Sequence, residues 1–306
     1  MKTIFIVNPE AGQGKKIKEL INSIKDASEK FKKDTEIYIT KAVGDAEKFV
    51  KNYCKEKGKA RFIACGGDGT LSEVLNGAIN ADGAQIGVMP YGTGNDFCRN
   101  FKENSNFKDV CAQLNGEVVK CDAIKYSSEK KEGYCANMFN IGFDCNVADL
   151  STTMKQKPFI SGPVAYLLSV FAILIKKKGA NLDIELDGNK KHKGKLLLTS
   201  IANGSFCGGG IKSNPLAKVN DGYININIVN NMSRLSFLTK LPFYMKGTHP
   251  KLKNIEKLIS NNKCKKVVIT PLDGTMRLCV DGEISEVGKT EFEIIHNAFD
   301  FVVPCK

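Results

Sequence analysis

Histidine is scarce in this 306-residue chain: His192, His249 and His296 are all it has, and none stands near a glycine-rich stretch. That argues against histidine-based catalysis. There is no GxxxxGK[ST], no GxGxxG opening the first helix, no GxSxG and no HExxH. No two cysteines stand at the two-residue spacing of a zinc knuckle or redox motif, and their number, 11, is odd. Cys54, Cys65, Cys111 and Cys279 lie in apolar segments, where free cysteine behaves as a small hydrophobe, as in a reducing cytosol. No apolar run approaches the about 20 residues that span a bilayer; the longest, Val164 to Ile175, has about twelve. The start, MKTIFIVNPEAG, runs directly into glycine chemistry and is read as no secretory signal. The expectation is a cytoplasmic protein, soluble or peripheral. Its chemistry must come from carboxylates, backbone amides and a metal.

A length of 306 residues allows two domains with separate cores, and 42% apolar with 25% charged residues is the composition of a globular chain. Lys and Arg number 45 against 33 acids, a net charge of +12. Residues 1 to 123 hold 19 basic and 17 acidic residues, leaving 26 and 16 for the remainder, so the excess belongs to the second half. Between Lys246 and Lys266, Lys246, Lys251, Lys253, Lys257, Lys263, Lys265 and Lys266 face one acid, Glu256. Such a surface suits an anionic membrane or nucleic acid, and it is equally what a solvated lysine-rich face looks like. No nucleic-acid recognition motif and no interleaving of basic and aromatic residues accompanies it, which argues against nucleic acid.

The most informative stretch is Arg61 to Asn76, RFIACGGDGTLSEVLN. A short apolar run stops at Gly66, Gly67, Asp68, Gly69 and Thr70, and Leu71, Val74, Leu75 and Ala78 follow at helical spacing. Three glycines around one acid let the backbone turn tightly and approach a ligand, and the loop opens a helix whose first amides favour an anion. This reads as a phosphate site; a tight turn without a ligand would use the same glycines. Two further glycine loops follow strands, Asn8 to Gly14 and Pro90 to Phe97. Strands at 3–7, 36–40 and 86–89 and helices from Lys15, at 45–57 and at 71–79 alternate over the first 120 residues, predicting a parallel α/β sheet with all three loops on one edge. After residue 123 short β-type runs dominate (134–140, 182–186, 195–202, 223–229, 266–270, 276–280), predicting an antiparallel β-sandwich. Two helical insertions, at 163–176 and 233–260, interrupt it; the first is apolar nearly all round, either buried or a lipid-facing cap. The alternating tail from Glu291 is read as returning to the first domain.

Asp68 and Asp96 end matching strands. Two carboxylates near a polyphosphate would repel it unless Mg²⁺ lay between them, so the pair implies a metal–nucleotide complex. Either could instead be a helix N-cap. A third acid, Glu283 in Val280-Asp281-Gly282-Glu283, could be the base that takes a proton from an acceptor hydroxyl, or simply part of a hairpin.

NPEAG (8–12), GGDGTLSEVLNG (66–77), PYGTGNDFCR (90–99), GFD (142–144), NGS..GGG (203–210), AKVNDGY (217–223) and VDGE (280–283) occur in this order. The chain thereby resembles the diacylglycerol kinase catalytic family, and within it the bacterial soluble lipid kinases, over nearly its whole length. The resemblance implies ATP as donor, Mg²⁺, an α/β ATP-binding domain at 1–123 to which about 291–306 returns, and a β-sandwich lipid domain at 124–290, with the active site in the cleft between them. It places nucleotide contacts at Asn8, Pro9, Glu10, Ala11, Gly12, Thr40, Gly66, Gly67, Asp68, Gly69, Thr70, Leu71, Ser72 and Thr93. Ser72 stands where many relatives have asparagine. Asp68 and Asp96 would serve around Mg-ATP, and Glu283 would be the catalytic base. A structural Mg²⁺ would take the Asp221 side chain and the carbonyls of Lys218 and Tyr223. The implied reaction is transfer of the ATP γ-phosphate to a lipid hydroxyl, diacylglycerol first, with phosphatidylglycerol, a sphingoid base or an undecaprenol-like alcohol as alternatives. A soluble kinase of the NAD kinase type shares GGDGT but leaves PYGTGNDFCR and VDGE unexplained, and a regulator without catalysis would not need Asp68, Asp96 and Glu283. The expected partner is an anionic membrane surface, approached peripherally; a homodimer is compatible with the sequence, which leaves oligomeric state open.

Overall fold

The computed structural model of the chain describes residues 1–14, 17–101, 106–142 and 179–304. The expected helix at 163–176, and Phe143 and Asp144 of the GFD triplet, lie outside the described residues. The chain divides into two compact units, residues 1–123 with 296–306, and residues 124–295.

In the first unit, β1 (Thr3–Val7), β3 (Arg61–Gly66) and β4 (Gln85–Pro90) are buried along nearly their whole length, which is why they read as continuous apolar runs. They join β2 (Thr35–Ile39) and the end of β15 (Thr290–Val303) in a parallel sheet ordered β2-β1-β3-β4-β15. On one face α1 (Ile17–Phe31) sets Leu20, Ile24 and Ala27, with Val110 and Leu114 of α4 (Val110–Leu114), against Phe5, Ile63 and Met89. On the other, α2 (Asp45–Lys57) and α3 (Asp68–Ala78) pack so closely that a β-carbon at Gly77 would lie 2.7 Å from the Glu47 carbonyl oxygen. Glu73 on α3 accepts from the N–H groups of Gly44 and Ala46 at 2.9 and 3.1 Å, capping α2 from outside, where no side chain of its own does so.

The second unit is antiparallel. One run pairs β14 (Glu283–Val287), β13 (Met276–Val280), β7 (Met138–Gly142), β9 (Asn189–Ala202), β10 (Ile224–Asn230) and β11 (Ile259–Cys264). Another pairs the first half of β9 with β8 (Ala180–Leu186), then β12 (Lys266–Pro271) and the start of β15. β5 (Glu117–Ser128) and β6 (Glu132–Cys135) form a hairpin. The apolar faces meet in one core that takes Phe139, Ile141, Ile201 and Ile226 from the first run and Leu182, Ile184, Val267 and Phe292 from the second. This is the β-sandwich that the short β-type runs predict.

β10 reads Ile-Asn-Ile-Asn-Ile from Ile224 to Ile228, and its asparagines are buried as well. Asn227 donates to the Ser213 carbonyl at 2.8 Å and to the side-chain oxygen of Asn214. That oxygen also accepts from Ser200 Oγ at 2.8 Å, and Asn214 donates to the Asn225 carbonyl at 3.2 Å. A polar layer thus lies across the strands from the isoleucine core.

Two sequence expectations change. The stretch 233–260 is not one helical insertion: α5 (Arg234–Met245) ends at Gly247, whose φ of +69° a β-carbon would strain, and Pro250 follows. Two short 3₁₀ turns lead on, and residues 259–264 are β11. Leu252, Ile255, Leu258 and Ile259 have helical spacing, yet the Asn254 φ of +58° breaks the backbone between them. The run 134–140 is likewise two strands, β6 and β7.

His249, in the turn after α5, is fully buried against Tyr244, with ring centroids 5.1 Å apart. Burial holds its imidazole well below the usual range, to about 4 from 6.5. The folded protein keeps it neutral while the unfolded chain takes up a proton, so stability falls as pH drops through that window. The full effect is about 3 kcal/mol. Urea unfolding of His249→Phe should therefore show a flatter stability profile between about pH 6.5 and 4 than the parent, and parallel profiles would refute the assignment.

Candidate active site

Three loops leave the ends of β1, β3 and β4 in the first unit and pack backbone to backbone. Asn8 closes the first: its Oδ1 accepts the Glu10 N–H at 3.0 Å, and its Nδ2 donates to Thr70 Oγ1 at 3.2 Å. Gly12, at φ +61°, leaves room for a β-carbon only 3.1 Å from the Tyr91 carbonyl oxygen. A β-carbon at Gly66 would fall 2.2 Å from Thr70 Oγ1, and one at Gly92 would fall 2.4 Å from Gly67 Cα. The N–H groups of Tyr91 and Gly92 both donate to the Gly66 carbonyl, at 2.9 and 3.2 Å. Gly12 and Gly92 are required because backbone meets backbone there, and Gly66 because the Thr70 side chain fills its place.

Asp68 is the first residue of α3 and does not cap it. Its Oδ1 instead accepts from Asp96 N at 2.8 Å and Phe97 N at 3.4 Å. The free amides at the head of the 3₁₀ turn Phe97–Asn100 are thus satisfied by Asp68, and the Asp96 side chain makes no cap there. The N-cap alternative for Asp96 is thereby removed. Asp96 is buried and faces Arg99 Nε at 3.5 Å, while Arg99 also donates to the Gly94 carbonyl at 3.1 Å. Phe97 anchors the loop, its ring edge-on to Phe301 of β15 at 4.9 Å.

The second oxygens of the two carboxylates converge. A β-carbon at Gly94 would lie 2.6 Å from Asp68 Oδ2 and 3.2 Å from Asp96 Oδ2, so the missing side chain opens a cradle bordered by both. Burial pushes the Asp68 carboxyl above its usual range, against the amides of Asp96 and Phe97 that favour its anion. A cation beside Oδ2 would keep it ionised. Two carboxylates, with phosphate oxygens and water to complete the coordination, fit Mg²⁺, which is ordinarily held by one or two carboxylates together with substrate phosphates. Gly94 and Arg99 carry this geometry together with the Asn8–Thr70 bond; Asn8 and Thr70 were expected at the nucleotide, while Gly94 and Arg99 had no signal in the sequence beyond their membership of PYGTGNDFCR.

The remaining expected contacts are distributed unevenly. Thr93 is exposed and Ser72 half-buried beside the loop. Leu71 is buried, so only its backbone is available to a ligand, and the Thr40 hydroxyl donates to the Val7 carbonyl at 3.4 Å. Pro9, Ala11 and Gly69 are half-buried, and Glu10 is exposed. A cavity of about 220 Å³ adjoins the loops, walled by Val7, Leu20, Cys65 and Tyr91 with Asn8 and Lys108 among its lining.

In the second unit, Glu283 opens β14 directly after a two-residue turn in which Asp281 and Gly282 have φ of +45° and +98°. That is the Asp-Gly hairpin the sequence allows, and it leaves the Glu283 carboxylate exposed. The suggested structural metal site fares differently. Asp221 accepts the Tyr223 N–H at 3.2 Å, and its other oxygen is held by Lys263 Nζ at 2.6 Å. Lys265 lies nearby, 5.9 Å from the centre of the Tyr223 ring that Lys263 also approaches. With one oxygen on a backbone amide and the other on an ammonium group, the Asp221 carboxylate is engaged by protein groups, and Mg²⁺ beside it would have to displace Lys263. Among the described residues no three His, Cys, Asp or Glu side chains cluster, and no helix is long and apolar enough to cross a membrane.

Comparison with known proteins decides the family. Residues 2–126 match the diacylglycerol kinase catalytic domain, and residues 137–303 match the YegS C-terminal NAD kinase β-sandwich-like domain. The chain belongs to the diacylglycerol kinase family. A diacylglycerol kinase of Staphylococcus aureus strain bovine RF122 / ET3-1 is 31% identical over 98% of this chain and 91% of its own length. A diacylglycerol kinase from Bacillus anthracis superposes with a TM-score of 0.71 at 21% identity, covering 99% of this chain and 96% of that one. Yeast NADH kinase superposes with a TM-score of 0.50 at 13% identity, covering 100% and 84%. The likeness to yeast NADH kinase is one of fold alone, while the family is that of diacylglycerol kinases.

Proposed function

We propose that this kinase transfers the γ-phosphate of Mg-ATP to the hydroxyl of a lipid, diacylglycerol first, giving phosphatidic acid. The observation that carries the reading is the cradle at Gly94, bordered by Asp68 Oδ2 and Asp96 Oδ2 beside the head of α3. Backbone amides of Gly66 to Thr70 hold the phosphates, and the cavity beside Asn8 and Tyr91 takes the nucleotide base. Mg²⁺, when bound, offsets charge on the transferring phosphoryl group. Asp68 and Asp96 position it, Arg99 keeps Asp96 oriented, and Glu283 takes the proton from the acceptor hydroxyl. Peripheral attachment to the inner, anionic face of a membrane brings the protein to its substrate, each nearby lysine of 246–266 adding about 1 kcal/mol.

Phosphate transfer from labelled Mg-ATP to diacylglycerol, phosphatidylglycerol and a sphingoid base in mixed micelles, with NAD in parallel, tests this. Label is expected in diacylglycerol. Label confined to NAD would overturn the proposal, and label in another lipid alone would replace the substrate while keeping the reaction.

A further inference from the structure

α5 has two apolar sides, and only one of them is used. Phe237, Leu241, Tyr244 and Met245 pack with Leu197, Val229 and Ile259 of the second unit. On the opposite side, Leu235, Leu238, Pro242 and Phe243 follow the i, i+3, i+7, i+8 spacing of a single stripe. That stripe faces water: Leu235 is 73% exposed, Leu238 38% and Phe243 42%. Leaving such a row in solvent costs free energy without gain unless something covers it. Ser233 caps the helix by accepting from Ser236 N at 3.2 Å, so the stripe is held on a formed helix and is not a frayed end.

The charges on the stretch of chain that carries the stripe select what covers it. From Asn231 to Asn262 the chain carries Arg234, Lys240, Lys246, Lys251, Lys253 and Lys257 against the single acid Glu256. A second copy of the same face would bring these cations against their own kind. An anionic bilayer instead offers negative charge at its surface and hydrocarbon a few ångströms below, the arrangement an apolar helical stripe flanked by lysines matches.

We propose that α5 lies in the plane of an anionic membrane, inserting Leu235, Leu238 and Phe243 among the lipids while the surrounding lysines contact headgroups. This deepens the lipid kinase reading, on which it rests for its biological sense, but it makes a separate demand. Charge alone predicts binding that salt abolishes; insertion leaves a salt-resistant part.

The test is co-sedimentation of the full chain with vesicles of phosphatidylglycerol and phosphatidylcholine, or of phosphatidylcholine alone, at low and high salt. Leu235→Ser with Phe243→Ser should lower partitioning onto the anionic vesicles at least about tenfold and remove the salt-resistant fraction. Both side chains are exposed, so circular dichroism and transfer to short-chain substrate dispersed in detergent should stay at parental values. Unchanged partitioning of the double variant would overturn the proposal. Equal binding to neutral vesicles would overturn the anionic assignment, and a dimer dissolved by the double variant in the absence of lipid would give the face to a second copy. Loss of vesicle binding in a protein that phosphorylates no lipid would uphold α5 docking and sink the kinase assignment, so the two failures are separable.

Discussion

Glu283→Gln is expected to lower kcat for lipid phosphorylation about a thousandfold while the dissociation constant for Mg-ATP stays within a factor of two. The amide has nearly the shape of the carboxylate but cannot take a proton from the acceptor hydroxyl. Folding should be indifferent: Glu283 is exposed at the start of β14, and the turn that presents it depends on Asp281 and Gly282. Initial rates at saturating lipid, with nucleotide binding by equilibrium dialysis, separate the two quantities. A variant with parental kcat would show that the base is another group.

Asp68→Asn should fail in the opposite pattern. Its retained Oδ1 can still accept the N–H groups of Asp96 and Phe97, now bonded at 2.8 and 3.4 Å, so the loop keeps its shape. What disappears is one of two negative charges at the Gly94 cradle. Both ground-state Mg-ATP binding and stabilisation of the transferring phosphoryl group weaken, and kcat/KM is expected to fall about a thousandfold. The Mg²⁺ concentration for half-maximal rate should rise, which Glu283→Gln should not produce. An unaltered Mg²⁺ requirement would remove Asp68 from the metal's surroundings.

How far these roles are legible in the sequence depends on whether they rest on local chemistry. The buried strands and glycine loops of the first unit were visible because apolar runs stopped by glycine have few alternatives in a parallel sheet. The antiparallel character of the second was visible in short β-type runs set between turn residues, as in Lys195 to Ala202 and Met276 to Val280. The β11 strand was not, since Ile259-Ser-Asn-Asn-Lys-Cys follows helically spaced apolar residues and is a strand only because β10 is there to pair with it. At the site, Asp68 and Asp96 could be named from the motifs, but their division of labour could not. That Asp68 caps the turn of its neighbour is a contact across 28 residues, whereas Asp96 is steered by Arg99 only three residues along the chain. The pairing of Asp221 with Lys263 is likewise set by strands meeting in space, 42 residues apart.

The alternation in β10 reaches beyond stability. A slip of one residue against β9 or β11 would turn Ile224, Ile226 and Ile228 toward the polar layer and drive Asn225 and Asn227 into the hydrocarbon core. The misplaced Asn227 would lose its bonds to Ser213 and Asn214, and each misplaced isoleucine would leave the core. Shifted pairings are thus rejected while the chain is still assembling. The strand works as a keyed lock that admits one alignment, so a single Asn227→Ile exchange, harmless to hydrophobicity, would file the key smooth.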